Sequence, residues 1–137
     1  MDTEKIKNYF YNDKYLKLTG VSIDEVAADY AVCSFEIAAE KHLNAGNNVQ
    51  GGAIFTLADS AFGVASNTVH IDAGEKKISV SQSASISYFK PPNGKKLIVT
   101  AKKISGGNKM SVYSMEVTDE LGTKVALMIG NAYTVDL

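Results

Sequence analysis

The run Gln50-Gly51-Gly52-Ala53-Ile54-Phe55-Thr56-Leu57-Ala58-Asp59-Ser60-Ala61-Phe62 joins a glycine pair to an apolar helix and sets one carboxylate about two turns in. Ile54, Leu57, Ala58, Ala61, Phe62 and Ala65 recur at helical spacing and form a single stripe. The periodicity predicts a helix from Gly51 to about Asn67, with Asp59 on the flank of the stripe, on the side of Phe55, Phe62 and Ser66. Thr56, Ser60 and Asn67 would form its polar face. Ala53, Ala58, Ser60, Ala61, Gly63 and Ala65 are small enough for a sheet to pack closely around it. Between Lys41 and Asp72, Asp59 is the only aspartate, glutamate, lysine or arginine. A carboxylate among apolar residues costs free energy unless it is paired or used in chemistry.

Outward from this helix, Lys41 to Gln50 is a loop rich in asparagine and glycine. Before it, Tyr30 to Ile37 alternates like a half-buried strand, and Val21 to Ala27 forms another, with Ala28-Asp29 as the turn. Residues Glu4 to Leu18 have amphipathic helical spacing, closed by Gly20. After the helix, Ile78 to Phe89 alternates Ile78, Val80, Gln82, Ala84, Ile86 and Tyr88 against a nearly all-serine face. Pro91-Pro92-Asn93-Gly94 is a turn, and Leu97 to Ile104, Met110 to Thr118 and Thr123 to Val135 read as three further strands joined by hairpins. The order helix, two strands, long helix, four strands in antiparallel meander implies an α+β fold, one helix laid on one sheet. The 137 residues suit one domain spanning 1–137. Its sheet edges and faces favour pairing with another copy.

Composition narrows the function. The net charge of −1 makes no global case for nucleic acid, and no apolar run spans a bilayer. The first residues lack the apolar core of a signal peptide, so an intracellular, cytoplasmic protein is expected. There is no arginine, so any phosphate must be met by lysine or by backbone amides. Cys33 is the single cysteine, and His42 and His70 stand alone at no metal-ligand spacing, which predicts surface or loop histidines and no metal. Lys76, Lys77, Lys90, Lys95, Lys96, Lys102, Lys103 and Lys109 precede the next acid, Glu116. They are either solvated strand lysines or a basic rim for a phosphate-bearing substrate.

Asp59 has the chemistry of a general base or nucleophile; the alternative is a solvated helix carboxylate. Gly51 and Gly52 open the helix with backbone N–H groups that lack intrahelical partners, suited to a developing oxyanion. Asn44 could hold water or a carbonyl, or simply organise a turn. Ser81 could bond a water or the Asp59 carboxylate, or be an ordinary strand serine.

Asn44, then Gln50-Gly51-Gly52 running into Asp59, resembles the PaaI-like hotdog-fold acyl-CoA thioesterases. Val80 to Pro91, ending in Tyr88-Phe89-Lys90-Pro91, resembles that family's Tyr-x-x-Pro strand. The resemblance implies a sheet wrapped around the central helix and a homodimer assembling to a homotetramer, with active sites between subunits. Asn44, Gln50 and Gly51 would come from one subunit, Asp59 and Ser81 from the other. Gly51 N–H would polarise the thioester carbonyl. The implied substrate is an acyl-CoA with an aryl or medium-chain acyl group, held near Phe55, Phe62, Gly52 and Lys90. Coenzyme A enters as part of the substrate, with no further cofactor. Gln50 stands where the family usually has histidine. Glutamine keeps a donor and an acceptor but cannot change charge near neutral pH, which keeps open a second reading, an acyl-CoA-sensing protein that does not hydrolyse. A hydratase would need an Asp–His pair that the spacing does not offer.

Overall fold

The computed structural model describes residues 1–137. Two short helices come first, α1 (Thr3–Phe10) and α2 (Lys14–Thr19), followed by strands β1 (Ser22–Ala27) and β2 (Tyr30–Glu36). A single turn of helix, α3 (Ala39–His42), precedes the long helix α4 (Gly51–Ala73). Strands β3 (Lys77–Tyr88), β4 (Lys96–Gly106), β5 (Met110–Asp119) and β6 (Lys124–Asp136) complete the chain. This is the α+β hotdog arrangement: one six-stranded antiparallel sheet with α4 against its inner face.

The strand order is β1-β2-β4-β5-β6-β3. The last four strands are therefore not one meander: β4, β5 and β6 are, but β3 pairs with β6 at the sheet edge. Pro91 and Pro92 lack backbone donors, and the connection from Phe89 to Lys95 is too long for a tight hairpin, so the chain crosses the sheet end instead. Asp119 clamps that crossing, its carboxylate accepting from Asn93 N–H (2.8 Å) and Gly94 N–H (2.9 Å) and from Leu121 and Thr123 N–H.

The N-terminal segment breaks where one helix was expected. Asp13 accepts from the Tyr15 and Leu16 N–H groups and starts a new helix. The Asp2 N–H donates to Asp72 near the end of α4, while Phe10 lies by Gly63, so α1 runs antiparallel to α4. Thus α4 is covered by the sheet on one side and partly by α1–α2 on the other, with Ile6 and Leu16 buried as anchors. Covering on two sides carries α4 past Asn67 to Ala73, where Gly74 in the left-handed region stops it.

Polar residues on α4 are also recruited inward. Asn67, expected on the polar face, is buried and bonds Ser79 through both its backbone N–H (2.8 Å) and C=O (2.9 Å). His42, expected at the surface, is buried too. Its ring stacks on Phe35 at 3.9 Å, Nδ1 accepts from Ala38 N–H, and Nε2 donates to the Thr19 carbonyl. Both corrections have one cause: the polar atoms meet backbone groups, which removes the cost of burial.

No helix is long and apolar enough to cross a membrane. The lysines do not form one rim. Lys77 pairs with Glu75, Lys103 donates to the Gly107 carbonyl, and Lys109 lies over the Tyr133 ring.

Candidate active site

Gly51 is the first residue of α4, and its N–H has no partner in the chain. The Gly52 N–H does: the Gln50 side-chain oxygen accepts from it as a helix cap. Of the two glycine amides singled out in the sequence, one is therefore free and one occupied. Gln50 acts as a cap in place of the histidine usual at this position. Gly51 opens onto a depression of about 320 Å³ with Ile54, Tyr88, Phe89, Lys90 and Pro91 in its wall. The Tyr88 hydroxyl donates to the Gly51 carbonyl at 2.8 Å.

Asn44 stands apart from this depression. Its side-chain oxygen accepts from Gly46 N–H (2.9 Å) and Asn48 N–H (3.1 Å), which closes the loop leading to α4. Within one chain it organises a turn.

Asp59 lies in a second depression, of about 490 Å³. Phe55, Thr56, Ser60 and Gly63 of α4 form its floor, Phe10, Asp13, Tyr15 and Leu16 one wall, and Ser81 of β3 the other. The neighbouring hydroxyls are already engaged: Thr56 donates to the Gly52 carbonyl and Ser60 to the Thr56 carbonyl. Asp59 has neither an ion pair nor a hydrogen bond. Its carboxyl reaches solvent at the mouth, yet the depression strips water from its other side. That desolvation first, and the Asp13 charge second, hold its pKa above the ordinary carboxylate value. A carboxylate made more basic and left unpaired is suited to accept a proton or attack an acyl carbon.

Ser81 reaches this depression because β3 is irregular. The pairing register with β6 shifts between Ser81 and Ser83. Before the shift Ser79 and Ser81 face α4; after it Ile86 packs on the core and Tyr88 reaches Gly51. The all-serine face expected from strict alternation is thus split by a bulge.

Phe62 is not in either depression. It is 1% exposed, with its ring against Tyr113 (centroids 5.6 Å apart) and over Gly130. A β-carbon at residue 130 would collide with that ring, so the missing side chain opens the recess that draws Phe62 into the core. Asp59 instead shares its face with Phe55, Thr56, Ser60 and Gly63. The sequence reading missed Phe10, Asp13 and Tyr15, which approach Asp59 from a distant segment with no shared motif, and the Tyr88 contact to Gly51.

Residues 46–126 match the family model of the thioesterase superfamily. The chain belongs to that superfamily. Within it, the chain is 38% identical over 135 residues to a protein of Archaeoglobus fulgidus carrying an esterase designation, covering 97% of this chain and 83% of that protein. It is 28% identical over 127 residues to the acyl-coenzyme A thioesterase PaaI of Escherichia coli, covering 92% of this chain and 86% of that protein. The structure of Escherichia coli PaaI superposes with a TM-score of 0.85 at 26% identity, over 96% of this chain and 91% of that one. A PaaI-like hotdog thioesterase is accordingly a thioester hydrolase.

Proposed function

We propose that this thioesterase hydrolyses acyl-CoA to a free acid and CoA at a site assembled from two copies of the chain. The observation that carries the reading is the separation of its two chemical groups. Gly51 and Asp59 lie eight positions apart on one rigid helix, about 12 Å along the axis, each opening into its own depression. A carbonyl oxygen and the nucleophile attacking its carbon must lie about 3 Å apart, so one thioester cannot use both groups of the same chain.

A second copy brings them together. Strand β3 is a 12-residue edge strand, exposed over most of its length. An antiparallel self-pairing centred near Ala84 and Ser85 would set Ser81 against the partner's Tyr88, and hence Asp59 towards the partner's Gly51. The Gly51 N–H then receives the carbonyl oxygen as it becomes an oxyanion. Asp59 either takes a proton from the attacking water or attacks the acyl carbon itself to form a mixed anhydride that water then hydrolyses, and both routes start from the unprotonated carboxylate. The C–S bond breaks and the CoA thiolate leaves, taking up a proton. Ser81 stands beside Asp59 to hold the water, and Lys90 beside Gly51 meets the anionic part of CoA. Asn44, with Gln50, shapes the loop that presents Gly51.

The test is an acyl-CoA panel read by thiol release, run on Asp59→Asn, on Gly51→Pro and on the two refolded together. Each variant alone should be nearly inactive. In a mixed dimer one site regains an intact Gly51 and an intact Asp59, so the mixture should recover about a quarter of wild-type activity. No turnover by the wild-type protein on any acyl-CoA sinks the activity. Turnover with no recovery in the mixture sinks the shared site.

A further inference from the structure

The wall facing Asp59 comes from the N-terminal segment, far from Asp59 in sequence. Phe10, Asp13, Tyr15 and Leu16 all precede residue 46, where the match to the superfamily model begins. We propose that the α1–α2 segment determines the acyl group this enzyme accepts, with Phe10 limiting its length and Asp13 selecting against acyl groups that end in a carboxylate. The inference rests on the reading of Asp59 as the hydrolytic carboxylate.

The geometry supports each part. The segment is fixed, since Ile6 and Leu16 are buried and the Thr19 carbonyl is held by His42 Nε2 at 2.7 Å. It can therefore serve as a wall of constant shape. The floor of the depression runs along α4 from Asp59 to Gly63, four positions or about 6 Å. At Gly63 it meets the Phe10 ring, which lies 3.9 Å from where a β-carbon would stand. An acyl group whose thioester carbon sits at Asp59 thus has room for one aryl ring or about five methylene groups before it meets Phe10. Tyr15 and Phe55 flank this path with further aromatic surface.

Asp13 adds a charge criterion. One of its carboxylate oxygens, Oδ1, accepts from both the Tyr15 and Leu16 N–H groups, so the group is held in place at the wall. Asp13 and Asp59 then present two carboxylates to one depression that contains no lysine or arginine. A neutral acyl group is unaffected, whereas a terminal carboxylate on the acyl group meets like charge in a partly desolvated space.

The experiment compares Phe10→Ala, Tyr15→Ala and Asp13→Asn with the wild-type protein on hexanoyl-, decanoyl-, phenylacetyl- and glutaryl-CoA. It reads kcat/KM, and also Kd for each ester in the Asp59→Asn background, where hydrolysis is blocked. Tyr15 is 61% exposed and asparagine is as good a helix cap as aspartate, so these two variants keep the fold even where Phe10→Ala costs stability. Phe10→Ala should shift preference towards decanoyl-CoA by about fourfold for each methylene newly accommodated. Tyr15→Ala should weaken phenylacetyl-CoA more than hexanoyl-CoA. Asp13→Asn should raise glutaryl-CoA relative to hexanoyl-CoA by tenfold or more, in Kd as well as in kcat/KM, by about the effect of removing one close like charge. Unchanged preference in all three variants, in kcat/KM and in Kd, overturns the inference even if hydrolysis is intact. Shifts in Kd without wild-type turnover would uphold it and remove the hydrolytic reading alone.

Discussion

The Tyr88 hydroxyl donates to the Gly51 carbonyl at 2.8 Å, and its ring would lie 3.3 Å from a β-carbon at residue 51. The end of β3 therefore holds the first residue of α4 by one hydrogen bond and one close contact, and only glycine leaves that contact unstrained. Tyr88→Phe keeps the ring and deletes the bond. A hydrogen bond of this kind contributes about 1 kcal/mol. We expect kcat to fall by about fivefold to tenfold, with KM little changed and the thermal midpoint lowered by about 2–4 °C; steady-state kinetics beside a melting curve checks this. An equal loss in KM alone would assign Tyr88 to substrate binding.

Gly51→Pro removes the proposed oxyanion donor while leaving the helix start intact. Proline is favoured at the first helical position, and the residue before it must be extended, as Gln50 already is with ψ 134°. The new ring needs a few tenths of an ångström from Tyr88. We expect kcat to fall by about 10²- to 10³-fold with the circular-dichroism spectrum unchanged.

Asp59 couples activity to stability in opposite directions. Burial and Asp13 raise its pKa in the folded state, so between the unfolded and folded values the folded chain binds more protons, and stability falls as pH rises through that window. Asp59→Asn should therefore raise the thermal midpoint at about pH 7.5 and leave it unchanged at about pH 3, below the ordinary aspartate value. Activity should fall by about 10²- to 10⁴-fold. In the wild-type protein the acid limb of kcat/KM should lie above the value of an unperturbed aspartate. Melting curves at the two pH values and a pH–rate profile check both signs.

Asp119 has the reverse linkage. Desolvation acts to raise its pKa, but four backbone N–H bonds outweigh it and hold the carboxyl well below the usual range. That stabilisation is present above the unfolded pKa, about 3.9, and is lost as pH falls through the folded value. Asp119→Asn should lower the midpoint at neutral pH and flatten its decline in acid. Because Asp119 also fixes the crossing that follows Pro91, binding at the Gly51 depression should weaken with it.

Cys33 is fully buried, and its thiol is pushed up to about 12 by burial, with the Asp24 charge adding. Native protein should react with no thiol reagent and denatured protein with one equivalent per chain, so CoA release can be followed without background.

The sequence by itself determined whatever depends on neighbours along the chain. The apolar period placed the start of α4, alternation and glycine-rich turns placed the strands, and the isolation of Asp59 marked the carboxylate that lies in a depression with no partner. Tertiary structure decided what depends on residues far apart. The position of β3 beside β6, the bulge that turns Ser81 towards Asp59, and the recess at Gly130 that draws Phe62 inward all follow from strand pairing and packing, which local periodicity does not encode. The same holds for the wall of Phe10, Asp13 and Tyr15. These residues precede Asp59 by more than forty positions and reach it only because α1 folds back antiparallel along α4, covering apolar surface that the sheet leaves open.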